Sequence, residues 1–296
     1  HLRTRRQRQM CIRDRLINGV QILFAGRYDD RELRNVLTQH RYPVRDLELN
    51  LADIQAQIAA NKRGINELQK MIEHHGLESV QKYTQSIQDN AESYIKQVIA
   101  KLKSGSFTHT MDHGAQIRLK VTINEKDQTA EIDFSGTSPQ LNNGFNAPSS
   151  VCKAAVLYVF RSLVDHDIPL NEGCLRPIKI KIPSGSMLAP EYPAAVVAGN
   201  VETSQYITDA LYGALGMMAA SQGTMNNFSF GTDQFQYYET ICGGCGAGPD
   251  HHGATAVQTH MTNSKSTDIE VFEKNFPVII QSLVCLLYTS DAADES

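Results

Sequence analysis

Four short stretches of the sequence concentrate amide, hydroxyl and carboxylate side chains beside apolar segments. Each lies where a predicted strand ends or where a predicted helix begins or ends, and ligands of open α/β sheets gather at such strand ends. The stretches are residues 199–205, 221–227, 239–244 and 259–263. Any one of them is better explained by side chains that cap helices and close turns. Together they predict one polar pocket for a small molecule.

Cys242 and Cys245 form a CxxC pair in the glycine-rich segment CGGCGAGPDHHG. Such a pair can be a redox dithiol or half of a zinc site. A redox pair normally begins a helix, and the adjacent histidines His251 and His252 do not give a standard zinc spacing. We therefore assign no metal here, and we expect the glycines to let the backbone approach another group closely.

The segment THTMDHG carries His109, Asp112 and His113, whose side chains are all of types that bind metals. It directly precedes a predicted β-hairpin. An exposed loop is the explanation that the sequence favours, and a metal site is the alternative.

Composition and missing motifs exclude several classes of protein. The chain has 296 residues and a net charge of −4, which argues against a nucleic-acid-binding protein. No run of about 18 apolar residues is present, so we expect no membrane-spanning helix. Six cysteines do not suggest a disulfide framework, which favours a reduced, cytoplasmic protein. The motifs GxxxxGK[ST] and GxSxG do not occur, so any ATP chemistry must come from elsewhere.

Two amphipathic helices are predicted in the first third of the chain. From Asp46 to Ile72, apolar residues recur at three, four or seven positions, and Gly76 is suited to end the helix. A second such run extends from Val80 to Leu102. Because the link is so short, we expect an antiparallel helical hairpin whose role is packing.

Beyond this hairpin the hydrophobic period changes to that of strands. Alternation over residues 116–123 and 131–134 predicts a β-hairpin with one solvated face, and a long polar loop follows it. Further helices are predicted over 151–163 and 202–220, and further strands over 178–182, 194–198, 228–230, 234–241 and 256–261. The predicted fold class is mixed α+β, with the helical hairpin leading into an α/β body that contains a mixed sheet.

The two ends of the sequence differ from its middle. Residues 1–15 hold six arginines, and residues 281–296 hold three acidic residues and no basic one. Both ends resemble translated adapter sequence, so we expect them to be non-native, dispensable and poorly ordered, with a natural protein that is longer at both ends. Between them we expect a helical hairpin region, 16–105, and an α/β body, 106–280.

Several long motifs occur in the order typical of the hydantoinase B/oxoprolinase family, which this chain resembles from Tyr42 to Val278. They are IDFSGTSPQLNNGFNAP, GCLRPIKIKIPSGSMLAPEYPAAVVAGNVETSQYITDALYGALG, AASQGTMNNFSFG, FQYYETICGGCGAGP and AVQTHMTNSKSTDIEVFE. DHDIPLNEGC and TMNNFSFG are most similar to the 5-oxoprolinase type within that family. Cys245 departs from the family pattern, which usually has a small residue there, and this weakens the CxxC interpretation.

The resemblance implies ATP-driven hydrolysis of a cyclic amide, either 5-oxoproline to glutamate or a hydantoin. It implies that ATP is bound by a hydantoinase A-type subunit or fused region, and that the complete enzyme contains a divalent metal whose ligands lie in a segment before this chain. On this basis we expect the chain alone to be catalytically inactive and the natural enzyme to be an oligomer. Two alternatives remain open, which are a subunit of an ATP-dependent ketone carboxylase and a non-catalytic assembly module.

For such chemistry, Glu202 or Glu239 is the candidate general base, and His260 is the candidate proton shuttle. The remaining candidates bind the substrate or a developing oxyanion. They are Asn200, Gln205, Asn226, Asn227, Thr240, Cys242, Gly243 and Asn263. The alternative roles are structural, because buried amides often satisfy backbone groups and Glu202 is placed in the first turn of a helix.

The predicted helix over 202–220 limits which of these side chains can meet. About 18 helical residues extend roughly 27 Å, so its two ends cannot both contact one small ligand unless the helix is shorter. We therefore expect a shared pocket of five residues, with two asparagines at its rim or at a subunit contact. The pocket residues are Asn200, Glu202, Glu239, Cys242 and His260, and the rim residues are Asn226 and Asn227.

Overall fold

The computed structural model describes residues 19–39, 44, 47–232 and 235–282. The predictions for residues 1–15 and 283–296 lie outside these residues. The helices are α1 (Arg31–Thr38), α2 (Leu47–His75), α3 (Leu77–Ile99), α4 (Ser149–Ser162), α5 (Thr203–Leu215) and α6 (Ile269–Asn275). The strands are β1 (Leu23–Phe24), β2 (Arg27–Tyr28), β3 (Gly105–Thr110), β4 (Gln116–Asn124), β5 (Thr129–Asp133), β6 (Ile178–Lys181), β7 (Asn227–Gly231), β8 (Gln236–Thr240), β9 (Gly244–Cys245) and β10 (Ala254–Thr255).

The described residues divide into two compact units that interleave along the sequence. The first contains the described residues up to Tyr94 together with His166–Arg176. Arg176 returns to α3, where its Nη1 lies 2.7 Å from Asp89 Oδ1. The second unit contains Ile95–Asp165 and the described residues from Pro177 onward. In the described part of the chain, no helix has the length and apolarity needed to cross a bilayer.

Helices α2 and α3 lie where the periodicity predicts them. Gly76 separates them with φ +79, a conformation that suits glycine at a helix end. Close backbone contacts between the two helices are few, so the packing expected of an antiparallel hairpin is not extensive. The apolar face of α2 is buried only near its start, at Leu51, while Ile65 is 57% and Leu68 is 49% exposed. Most of this apolar face is therefore exposed in the described structure.

The second unit is built on a four-stranded mixed sheet with the order β3–β4–β5–β6. The predicted hairpin is confirmed: β4 and β5 are antiparallel, with Val121 opposite Ile132. Alternate residues of β4 are buried, including Ile117 and Val121, which gives the sheet one apolar face. β6 pairs in parallel with β5, with Ile180 opposite Ile132, and α4 lies in the connection between these two strands.

Helix α5 packs against α4, β3 and β4, and it is buried almost all round. The prediction that this helix continues to residue 220 is wrong. The helix ends at Leu215 because Gly216 adopts the left-handed conformation, with φ +64, and this conformation terminates an α-helix. The chain then turns back, which decides the geometry of the site.

Two predicted strands are absent from the described structure. Residues 194–198 form no strand, and Val197–Gly199 is a single 3₁₀ turn. Residues 256–261 are irregular because Ala256 and His260 both have positive φ, which is incompatible with a strand. By contrast, β7 and β8 confirm the strands predicted over 228–230 and 234–241, and they pair antiparallel.

Candidate functional site

The segment after α5 returns along the helix and meets its polar side chains. Ser221 donates to Asp209 from both its backbone N–H and its hydroxyl, at 2.9 and 3.0 Å. Thr224 Oγ1 donates to Glu202 Oε1 at 2.9 Å. Because α5 is shorter than predicted, residues 199–205 and 221–227 therefore lie side by side.

The segment before α6 is held against α5 by one buried amide. Gln205 is 1% exposed, and its Nε2 donates to Thr262 Oγ1 at 2.8 Å and to the Thr259 carbonyl at 3.4 Å. Its Oε1 accepts the Met261 N–H at 3.2 Å. These contacts join the first and fourth polar stretches, and they use the Gln205 amide as a structural clamp.

The third stretch joins the same network through β7 and β8. Asn227 lies opposite Thr240 in the sheet, and its Oδ1 accepts from Thr240 Oγ1 at 3.3 Å. The backbone carbonyl of Asn226 accepts the Ile241 N–H at 3.0 Å. Gln258 Nε2 donates to the Thr240 carbonyl at 2.9 Å. The structure thus brings the four predicted stretches into one contiguous region.

The two candidate bases have different surroundings. Glu202 is half-buried, and burial raises the pKa of its carboxyl, although the hydrogen bond from Thr224 acts in the opposite direction. Glu239 is only 6% exposed. Its carboxylate accepts from the backbone N–H and from the hydroxyl of Thr267. Glu202 therefore retains more access to solvent, while Glu239 anchors the segment before α6.

His260 has a strained backbone and a buried ring. Its φ is +53, which is uncommon for a residue with a side chain, and its side chain is 3% exposed. Nε2 lies 3.3 Å from Asp209 Oδ1, but the N–H direction is poorly aligned for a hydrogen bond. Nδ1 lies 3.4 Å from the Tyr158 hydroxyl. The ring thus sits between a carboxylate and a phenol.

Two tyrosine side chains next to His260 were not anticipated from the sequence. The rings of Tyr158 and Tyr212 lie 5.8 and 5.4 Å from the His260 ring, centroid to centroid. The Tyr212 hydroxyl is 2.6 Å from Ser162 Oγ. Burial raises the pKa of Tyr158 to about 12. Tyr158 lies in the apolar helix α4 and Tyr212 in the apolar helix α5. Only their contact with His260 distinguishes them from ordinary core residues.

Asp209 is the other residue that the sequence analysis missed. It is the only acidic residue of α5, and its side chain is 2% exposed. An isolated charge on a helix that is buried all round is costly unless it is compensated. A lone acid in the apolar run YITDALYGAL was therefore a signal that could have identified this position.

Asp112 and His113 of the segment THTMDHG are exposed, but Thr108–Thr110 belong to β3 and Met111 is buried, so the expected exposed loop covers only part of the segment. His109 is half-buried, and its ring lies 4.7 Å from the ring of Tyr206 on α5. Burial lowers the pKa of His109, with the negative charges of Asp209 and Asp112 acting in the opposite direction. His109 thus borders the same polar region.

The CxxC cysteines are reduced and half-buried. The close approach expected at the glycines is observed, because a Cβ on Gly246 would collide with the Ala219 carbonyl, and one on Gly243 would collide with the Gln222 amide. Among the described residues, no three His, Cys, Asp or Glu side chains group as metal ligands. These residues therefore do not fit a divalent cation.

Other predicted site residues show mainly local roles. The carbonyl of Asn200 accepts from Ser204 Oγ at 2.7 Å, and Asn263 is exposed. Glu202, Glu239 and His260 contact Thr224, Thr267 and Asp209, respectively. A pocket shared by Asn200, Glu202, Glu239, Cys242 and His260 remains a prediction.

Comparisons with known proteins identify relatives over nearly the whole chain. The model of the hydantoinase B/oxoprolinase family matches residues 15–285. 5-Oxoprolinase 1 of Arabidopsis thaliana is 47% identical over 252 residues, which are 80% of this chain and 20% of that protein. The 5-oxoprolinase of Dictyostelium discoideum is 42% identical over 274 residues, which are 90% of this chain and 21% of that protein. The chain thus spans about a fifth of the length of these relatives.

A solved structure shares the fold. The ATP-dependent caprolactamase from Pseudomonas jessenii superimposes with a TM-score of 0.71 at 20% identity, over 90% of this chain and 49% of that one. The mixed α+β architecture is therefore that of a known fold.

Proposed function

Because the chain belongs to the hydantoinase B/oxoprolinase family, we propose that it is the B-type part of an ATP-dependent cyclic amide hydrolase that converts 5-oxoproline to glutamate. The observation that carries this proposal is the 47% identity with a protein named 5-oxoprolinase 1. The structural neighbour named as a caprolactamase also acts, by its name, on a lactam. We further propose a cytoplasmic enzyme in which a hydantoinase A-type subunit or fused region uses ATP.

Hydrolysis of an unstrained lactam is thermodynamically unfavourable, so the proposal couples it to phosphorylation of the amide oxygen. This chain then binds the activated ring and directs water to its carbonyl carbon. The C–N bond breaks as the nitrogen is protonated, which leaves an acyl phosphate, and a second water releases phosphate to give glutamate. ATP supplies the phosphoryl group, and a metal is given no role among the described residues because they do not group suitable ligands.

Glu202 is the base that the geometry favours. Its half-buried carboxylate has a raised pKa, which brings its basicity closer to neutral pH, where a general base works best. The Thr224 hydroxyl orients one oxygen and leaves the other able to accept a proton from water. Glu239 remains the second candidate, with its carboxylate held by Thr267.

The remaining candidates from the four polar stretches are proposed to bind the ring and its carboxylate. The proposed set is Asn200, Gln205, Asn226, Asn227, Thr240, Cys242, Gly243 and Asn263, with His260 as a proton carrier. Donors of this kind stabilise a developing oxyanion when they are fixed before the reaction. The network through Gln205 and Asn227 supports such rigidity.

The decisive experiment measures ATP cleavage and product formation by the complete enzyme with four substrates. These are 5-oxoproline, hydantoin, caprolactam, and acetone with bicarbonate. ATP cleavage that depends on 5-oxoproline and releases glutamate is expected. ATP cleavage with acetone and bicarbonate alone would instead identify the protein as a carboxylase subunit. Activity with hydantoin or caprolactam alone would keep the cyclic amide hydrolase and replace 5-oxoproline as its substrate.

A further inference from the structure

The second half of α2 carries an apolar stripe that is largely exposed in the described part of the chain. Ile58, Ile65, Leu68 and Ile72 recur at intervals of seven, three and four residues, so they share one face of the helix. Ile65 is 57% and Leu68 is 49% exposed, and Met71 at the edge of the stripe is 51% exposed. The stripe therefore presents large apolar side chains to water.

The first half of the same face has a partner within the chain. Leu51 is buried in a core cluster with Leu33 and Leu37, and Ile54 packs against that cluster. From Ile58 to its end, α2 extends roughly 26 Å further at 1.5 Å per residue. An exposed apolar surface of this length marks an interaction site.

Helix α3 continues this exposed surface beyond Gly76. Its Leu77, Tyr83 and Ile87 are 55%, 71% and 46% exposed. A large side chain has about 200 Å² of surface, so the six exposed apolar residues of the two helices present roughly 650 Å² per copy. If two copies cover each other, roughly 1,300 Å² is buried, which is within the range of about 1,200–2,000 Å² for a specific interface. The area is therefore sufficient for a stable dimer.

The charged side chains of this part of α2 lie on its opposite face. Arg63 Nε and Lys70 Nζ lie 2.9 and 3.1 Å from Glu67 Oε1. Lys62 borders the stripe, and Asn61 lies within it. Because two copies of one surface bring identical charges together, which is costly, a stripe that is almost free of charge is suited to self-association.

Gly64 lies in the interior of α2, beside the stripe. Glycine is the least favourable residue after proline inside a helix. A Cβ at this position would meet nothing within 4 Å, so packing among the described residues does not require a glycine here. Glycine does allow another chain to approach the helix closely. Gly64 therefore indicates a partner from outside the described residues.

We infer that this surface is a two-fold interface, on which α2 of a second copy of the chain packs antiparallel. With the axis midway between positions 65 and 68, Ile65 lies against Leu68 of the second copy. The same arrangement brings Met71 of the second copy beside Gly64, and its flexible side chain fills the space that the glycine leaves open. A parallel pair would instead place the two glycines together and leave that space empty. Two-fold dimers are the commonest assemblies of identical chains.

The test replaces Gly64 by leucine in the 296-residue chain and measures association by sedimentation equilibrium. The wild type is expected to be a dimer at micromolar concentration. The added side chain has open space within one copy but overpacks the interface with the second, so the dimer dissociation constant should rise about 100-fold or more. Ala60→Leu is the matched control, because Ala60 is exposed on the charged face. Its dissociation constant should stay within about threefold of the wild type.

Circular dichroism separates association from folding. Leucine favours a helix more than glycine does, so Gly64→Leu should keep or gain helical signal while it loses the dimer. A loss of the dimer in this variant is therefore not explained by unfolding of α2.

Engineered cysteines define the orientation of the two helices. Antiparallel packing places position 65 of one copy opposite position 68 of the other, so a mixture of Ile65→Cys and Leu68→Cys chains should form disulfide-linked dimers with oxidised glutathione. Neither variant alone should cross-link more than the wild type, whose own cysteines set the background.

Three results would overturn the inference. A wild-type chain that stays monomeric would show that the second copy is not the partner of this surface. A dimer with unchanged affinity in Gly64→Leu would lie elsewhere on the chain, and cross-links in Ile65→Cys alone would identify a parallel pair. None of these results bears on hydrolysis of 5-oxoproline, so the proposed function is tested separately.

Discussion

His260 Nε2 lies 3.3 Å from Asp209 Oδ1, and both side chains are almost completely buried. Asp209 also accepts two hydrogen bonds from Ser221. One carboxylate thus fixes both the histidine of the fourth polar stretch and the first residue of the second. The arrangement of the candidate site depends on this single acid in α5.

Replacement of Asp209 by Asn should destabilise the protein. The variant loses charge-assisted hydrogen bonds at a buried position, which are worth about 1.5–3 kcal/mol. Ser221→Ala should cost only about 1 kcal/mol, because the backbone N–H of residue 221 still donates to Asp209. Urea denaturation monitored by circular dichroism measures both changes. An Asn variant as stable as the wild type would show that desolvation of the carboxylate cancels its hydrogen bonds.

Two glycines with similar backbone conformations should respond differently to alanine. Gly216 has φ +64, and a Cβ there would meet nothing within 4 Å. Gly223 has φ +72, but its Cβ would lie 2.8 Å from the Tyr206 ring. Gly216→Ala should therefore cost about 1–2 kcal/mol from backbone strain alone.

Gly223→Ala should add an overpacking cost of about 1–3 kcal/mol to the same strain. Thermal unfolding of the two variants side by side provides the comparison. Equal losses of stability would mean that the Tyr206 ring moves aside freely.

The free energy of unfolding should decrease as the pH falls below about 6.5, because His109 is half-buried in the folded protein. Burial lowers the pKa of His109 from 6.5, so the unfolded chain binds a proton at a higher pH than the folded protein does. The free energy of unfolding therefore decreases as pH falls from about 6.5 to the folded-state pKa, and below that value this contribution stays constant.

His109→Gln should reduce this slope, measured as the urea midpoint between pH 5 and 7. His252→Gln is the matched control, because His252 is exposed. A slope that is the same in His109→Gln and wild type would assign the pH dependence to other groups.

The two candidate bases can be separated by their glutamine variants in the complete enzyme. Glu202→Gln should lower kcat by about 100-fold or more with little change in KM, because a general base acts in the transition state. If Glu239 is instead the base, Glu239→Gln should show that pattern. If Glu239 only anchors the segment before α6, its variant should lose stability and substrate binding together, as measured by urea denaturation and KM.

Much of the fold could be predicted because its signals are local. The 3.6-residue period gave α2 and α3, the two-residue period gave β4 and β5, and Gly76 marked a helix end. The end of α5 was misplaced because residues 216–220 have ordinary helical composition, and only the conformation of Gly216 ends the helix. Residues 256–261 looked strand-like in sequence, but Ala256 and His260 adopt positive φ, which interrupts a strand.

The site could be predicted only as a set of segments. Clusters of amides and hydroxyls identified the four stretches that the structure brings together, such as Gln205 with Thr262. Tyr158 was missed because a single tyrosine within an apolar helix has no periodic or motif signal, whereas Asp209 could have been identified as a lone acid in an apolar helix. Both residues matter through contacts with His260, which is distant along the chain. Tyr158 precedes it by 102 residues, and Asp209 also lies far from it in sequence.

The interleaving of the two units has a consequence for synthesis on the ribosome. Asp89 on α3 finds its partner Arg176 only 87 residues later, so at about 5–20 residues per second this contact must wait about 4–17 s. During that interval the nascent helix presents the carboxylates of Asp89 and Glu92 without their Arg176 partner. Translation pauses before codon 176 should therefore lengthen the period in which chaperones can bind the nascent chain.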